Sequence, residues 1–168
     1  ESARESEAYF RAIAKLVPDM LWRNDSTGNS SWYNQRWLDY TGQTLEEAQG
    51  YGWLEAIHPD DRAQSLANFQ NPVDERRPLR QEHRIRGTDG NYRWFQVQAD
   101  PVFDSDGRII QWFGAATDIH EQRWAIEQSH ESEERLRVMI ENLPGGAAFV
   151  VDRNLRYLLA EGEALYAA

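Results

Sequence analysis

Apolar and polar residues alternate along this chain in short blocks of two kinds. Residues 20–24, Met-Leu-Trp-Arg-Asn, read as a strand, and beyond turn-forming residues at 25–29 a second strand is predicted at 30–33, which makes a hairpin. From 35 to 69 the pattern becomes helical and short-winded. Thr44 with Glu47 three residues on is a capping box, and Pro59 followed by Asp60 and Asp61 is a helix start whose carboxylates suit the helix dipole. Three longer strands follow at 79–86, 92–102 and 108–117, separated by Asp89-Gly90 and Asp106-Gly107, pairs that accept the positive backbone angles of tight hairpins. In the second of these, Phe95, Val97 and Ala99 share one face while Trp94, Gln96 and Gln98 share the other, so one face is core and the other amphipathic. Two strands, small helices and a three-stranded antiparallel meander define an α+β fold.

A further helix is predicted from Asp118, with Glu121 completing an Asp version of the capping box, to about residue 142. Its heptad positions Ile119, Ile126, Glu133 and Ile140, with Gln122, Ser129, Leu136 and Leu143 between them, are apolar at the ends and polar in the middle, a weak coiled coil. Such a helix either packs as a solvated linker on its own domain or pairs with a second chain. Laying residues 5–18 over 131–144 matches Glu5-Ser6-Glu7 with Glu131-Ser132-Glu133, Arg11 with Arg137 and Pro18 with Pro144, and apolar positions stay in phase. The chain therefore divides into an N-terminal linker helix (1–17), one full domain (18–118), a linker helix (119–143) and the truncated start of a second copy (144–168). Strand-like stretches at 147–152 and 155–160 have no sheet of their own. They are expected to be poorly ordered or to pair with a neighbouring edge.

At 168 residues the chain has room for one domain plus appendages, and 40% hydrophobic content with seven Trp, seven Tyr and six Phe requires a packed core or a pocket. No run approaches the roughly 18 apolar residues of a membrane span, and the first residues lack a signal-peptide layout. A cytoplasmic location with no direct membrane contact is expected. The absence of cysteine removes disulfides, thiolate metal sites and cysteine nucleophiles together. A net charge of -10 disfavours nucleic acid as a partner.

Four segments in order carry a family resemblance: 37–42 (Trp-Leu-Asp-Tyr-Thr-Gly), 53–62 (Trp-Leu-Glu-Ala-Ile-His-Pro-Asp-Asp-Arg), 82–95 (Glu-His-Arg-Ile-Arg-Gly-Thr-Asp-Gly-Asn-Tyr-Arg-Trp-Phe) and 114–119 (Gly-Ala-Ala-Thr-Asp-Ile). Together they resemble the PAS family with its C-terminal PAC motif. The resemblance implies a five-stranded antiparallel sheet of order 2-1-5-4-3, short helices over a ligand-sized cavity, and a helical linker to a following domain. It also implies a sensory and dimerisation input module, without catalysis of its own, in a multidomain bacterial signalling protein. A sensor histidine kinase is the first expectation for the parent, and a cyclic-dinucleotide synthase or phosphodiesterase the alternative. A homodimer through the linker helices and sheet face is expected, with a small-molecule ligand as a further partner.

The candidate lining of the cavity is Trp22, Trp37, Tyr40, Trp53, His83, Phe95 and Trp112, with Trp32 also in the aromatic set; the same residues could equally form a cavity-free core. No cofactor is assigned. A cysteinyl-flavin adduct is excluded, non-covalent flavin stays open, and haem is disfavoured because residues 60–70 hold no His. Asp118 stands where the family has its Asp-Ile-Thr signature, with His120 in place of Thr, and the resemblance makes it a signal junction bonded to an Arg such as Arg93. His58, Asp60 and Asp61 have a catalytic composition, and a small-molecule enzyme built on them is the remaining alternative. At a helix start the same carboxylates would simply cap free N–H groups.

Overall fold

The computed structural model describes residues 2–75, 77–142 and 148–161. The chain splits into two compact units, residues 1–120 and 121–168. In the first, helix α1 (Ser2–Leu16) leads into strands β1 (Met20–Asp25) and β2 (Ser30–Tyr33). Helices α2 (Gln35–Thr41) and α3 (Leu45–Ala48), a 3-10 turn at Gly52–Ala56 and helix α4 (Pro59–Glu75) follow, then β3 (Leu79–Arg86), β4 (Tyr92–Phe103) and β5 (Ile109–Asp118). The five strands form one antiparallel sheet in the order β2-β1-β5-β4-β3. Pro101 sits in β4 without breaking the sheet, because β3 begins opposite Ala99 and the ladder on that side has already ended.

Alternation sets the faces. Met20 and Trp22 from β1, Leu79 and Ile85 from β3, Phe95, Val97 and Ala99 from β4, and Trp112 and Ala116 from β5 point inward against Trp37, Trp53, Ile57 and Phe69 of the helical middle. Gly114 has its place here for a steric reason: a Cβ at this position would lie 2.1 Å from the indole of Trp22, its partner across the β1–β5 ladder. On the outer face, Phe10 of α1 packs against Trp32 and Phe113 with ring centroids 5.1 and 5.3 Å apart.

Asn34 fastens these layers at one point. Its Oδ1 accepts from the backbone N–H of Leu21 (3.0 Å) and of Trp37 (3.3 Å), capping α2, while its Nδ2 donates to the carbonyls of Ala14 in α1 (3.3 Å) and Asp19 (3.1 Å). The side chain is buried, and the inventory of an amide is fully used.

Helix α5 spans His120–Glu141, all but its first residue in the second unit, where strands β6 (Ala148–Val151) and β7 (Tyr157–Glu161) pair with each other. This corrects two expectations. The helix begins two residues after Asp118, which is the last residue of β5, and residues 148–161 do have a sheet of their own. The hairpin closes locally because Asp152 Oδ1 accepts from the N–H groups of Asn154 (2.7 Å) and Arg156 (2.9 Å). Along α5, Ile140 is buried, Ile119 just before the helix is half-buried, and Ile126 and Leu136 are exposed; Leu143 lies outside the described residues.

Candidate functional site

The inner face of the sheet encloses a cavity of about 30 Å³. That is room for a water or two, against the roughly 300–1,000 Å³ of ordinary ligand pockets. Trp22, Trp37, Trp53 and His83 line it together with Ser30, Tyr33 and Gln81. Three of the predicted lining residues lie elsewhere. Tyr40 and Phe95, edge-to-face at 5.2 Å, wall a separate and larger cleft beside Asp118, and Trp112 is packed at 2% exposure opposite Asn24 in the β1–β5 ladder. Trp32 belongs to the outer face, under Phe10. Trp32 and the inward Tyr33 are neighbours on β2 and take opposite faces, while the register shift that skips Ser31 lets Ser30 turn inward as well. Among the described residues the large aromatics thus fill the inner space rather than frame it.

His83 is the polar element of this wall. It is buried, its ring stacks near Trp53 at 6.4 Å, and its Nδ1 hydrogen-bonds with the Ser65 hydroxyl at 2.9 Å. Burial pushes its pKa down to about 4, with Asp61 pulling weakly the other way. Ser65 is a partner the sequence pattern did not single out; only the docking of α4 across β3 brings it to His83.

The His58, Asp60 and Asp61 cluster assembles, and its bonds are those of a fastener. His58 Nδ1 accepts from the Asp60 N–H at 3.2 Å at the start of α4. Asp61 Oδ2 accepts from both the backbone N–H and Nε of Arg84 at 2.9 Å, and Oδ1 accepts from Arg84 Nη2 at 2.6 Å. The Arg84 guanidinium holds the Asp61 carboxyl below the usual carboxylate range against a smaller opposing effect of burial, so it is a poor proton acceptor. Arg84 in turn lies over the Trp94 ring at 5.2 Å. The cluster ties the first turn of α4 to β3.

At the same end of the sheet, one step along the β3–β4 ladder from Arg84, the strand-to-helix passage is pinned to β4 at three successive positions. Arg93 Nε donates to Asp118 Oδ2 at 2.7 Å, the Ile119 N–H donates to the Trp94 carbonyl at 3.0 Å, and the Trp94 N–H donates to His120 Nδ1 at 3.4 Å. Asp118 Oδ1 also accepts from the His120 N–H at 2.9 Å. His120, where the family signature has Thr, thus supplies an acceptor to the strand. Tyr40 stands beside this junction, donating to the Ile85 carbonyl at 3.3 Å; burial first and the Asp118 charge second raise its pKa to about 12.

Comparison with known proteins gives these features a family. The PAS-fold family profile matches residues 31–116. An uncharacterised protein of Sinorhizobium fredii is 41% identical over 128 residues, covering 76% of this chain and 16% of its own length. The peroxide stress-activated histidine kinase mak1 of Schizosaccharomyces pombe is 31% identical over 136 residues, covering 76% of this chain and 8% of that kinase. Among solved structures, a sensory box histidine kinase/response regulator from Burkholderia thailandensis superposes with a TM-score of 0.56 at 26% identity, over 76% of this chain and 97% of that one. The chain thus spans a small fraction of the length of these two curated relatives. The profile match, the sheet order and the pinned β5–α5 passage agree: residues 1–120 hold a PAS domain, and the chain belongs to the PAS-fold family.

Proposed function

We propose that this chain is a sensory and dimerisation input module of a multidomain signal-transduction protein whose output is a histidine kinase, and that α5 relays its state. The observation that carries the reading is the triple pinning of the β5–α5 passage at Asp118, Ile119 and His120 onto Arg93 and Trp94. A shift in the sheet at β4 changes these bonds and so the direction in which α5 leaves. The similarity to mak1 and to the Burkholderia thailandensis protein favours a kinase over a cyclic-dinucleotide enzyme as the parent. With so little free volume on the inner face, the input reads as a change in packing or partner contact rather than capture of a large cofactor in that cavity.

Two apolar stripes support a homodimer. On α1, Tyr9, Ile13 and Leu16 are exposed on the side away from Phe10 and Ala14, which face the sheet, and on α5 Ile126 and Leu136 are exposed. The second unit supports a tandem array, since its hairpin lies where the repeat places the first hairpin of another copy. The test is sedimentation of the chain combined with spin-label distances between α5 helices, in wild type and in Arg93→Ala. A dimer at micromolar concentration whose α5–α5 distance changes in the variant supports the relay. A monomer throughout, or a dimer with unchanged distance, rejects it.

A further inference from the structure

A groove of about 540 Å³ runs between α1, the end of β2 and α2, outside the sheet and away from the inner cavity. Arg11 and Lys15 line it from α1, Arg36 from α2, Trp32 offers an aromatic wall, and Asp39 is its one carboxylate. Asp39 is already engaged, accepting from the Gln35 amide at 2.8 Å. Arg11 shares an exposed pair with Glu7 at 3.1 Å, while neither Lys15 nor Arg36 has an acidic partner within ion-pair distance among the described residues. This is unusual in its setting. The chain carries 28 Asp and Glu against 18 Lys and Arg, so three cations gathered from two helices, two of them without an acidic partner among the described residues, run against the composition.

We infer that this groove is a binding site for a small organic polyanion, a di- or tricarboxylate or a phosphate ester, held by Arg11, Lys15 and Arg36 against Trp32. Arginine offers paired N–H donors matched to carboxylate and phosphate oxygens, and lysine adds a point charge. Two of the cations ride on α1 and one on α2, so a bound anion bridges the two helices. Both are also bonded by Asn34, through the Ala14 carbonyl and the Trp37 N–H, and the bridge therefore reinforces the docking of α1. The site adds an input that acts on the N-terminal helix, and it stands independently of what the parent protein's output is.

The probes are citrate and inorganic phosphate, titrated into the 168-residue chain while the Trp32 indole N–H is followed by NMR and exchange of α1 amides is measured. The expected result is a saturable Trp32 shift with a dissociation constant of about 1 mM or tighter for at least one probe. Binding should weaken at least about tenfold on Arg36→Gln or Lys15→Gln and also with added sodium chloride, and α1 exchange should slow. Both side chains sit at the surface, and an unchanged circular dichroism spectrum shows that the variants fold. The tighter of the two probes identifies the anion class. Absence of a saturable shift, or a shift of equal affinity in wild type and both variants, overturns the assignment.

Discussion

The hairpins β1–β2 and β6–β7 are built to one local plan and live in different surroundings. In the first, Asp25 Oδ1 accepts from the N–H groups of Thr27 and Asn29; in the second, Asp152 Oδ1 accepts from those of Asn154 and Arg156. Each ladder shifts register just before its aspartate, between Arg23 and Asn24 and between Val150 and Val151. The β4–β5 hairpin uses the same device at Asp104, with a shift between Val102 and Phe103. The differences lie beyond the turn. β1 has β5 on its far side and buries Met20 and Trp22 under the helices, whereas β6 and β7 pair only with each other among the described residues, and Phe149 is 52% exposed. The shared turn chemistry shows that an aspartate can close a hairpin unaided. Whether the hairpin then becomes part of a core depends on a third strand and a covering layer.

The largest test of that contrast strikes the third strand. Gly114→Leu drives a side chain into the space held by the Trp22 indole and is expected to cost about 3 kcal/mol or more, lowering the midpoint of chemical denaturation read through tryptophan fluorescence. A loss under about 1 kcal/mol would mean that the β1–β5 contact tolerates repacking and is not what separates the two hairpins.

Next in size is an acid effect confined to the covered sheet. Folded His83 titrates at about 4 against 6.5 for the ordinary group, so as pH falls the unfolded chain takes up its proton first. The stability tied to neutral His83 is complete above about pH 6.5 and is lost progressively down to about pH 4, a span worth about 3 kcal/mol. His83→Leu should flatten the stability profile in that window, as measured by urea denaturation at successive pH values. Identical slopes for the two proteins would contradict the burial argument.

The smallest effect separates the turns themselves. The left-handed position that Gly28 and Gly107 fill in the first unit, at φ of 93° and 73°, is filled by Leu155 in the second, at φ of 61°. A Cβ makes that conformation costly, so Leu155→Gly should stabilise the β6–β7 hairpin by about 1 kcal/mol and Gly28→Ala should destabilise β1–β2 by a similar amount. Amide exchange in each hairpin reads both changes, and a slower-exchanging Gly28→Ala hairpin would reverse the interpretation.

Much of the fold was legible in the residues because its signals are local. The alternation in 79–86 and 92–102, the capping box at Thr44 and Glu47 and the Asp-Gly turns each act within a few positions, and all reappear in the structure. The site was less legible. Trp32 and Trp37 look alike in a list of aromatics, yet one lies beneath Phe10 outside the sheet and the other packs on Tyr33 inside it at 4.9 Å. Asn34 had a visible signal as an N-cap three residues before Trp37, but its bonds to Ala14 and Asp19 depend on where α1 comes to rest. The same holds for the cation groove, whose members are far apart on the chain until α1 docks beside α2.

By itself the sequence determined the elements of the first unit, their order, the inward face of β4 and the α+β class, because backbone propensity, turn chemistry and period-two burial are properties of neighbouring residues. Only the tertiary structure decided that the aromatics close the inner cavity down to about 30 Å³, that Asp61 is occupied by Arg84, and that Arg11, Lys15 and Arg36 meet. Those outcomes depend on the volumes and charges that folding brings together from distant parts of the chain, and packing density is set by all of them at once.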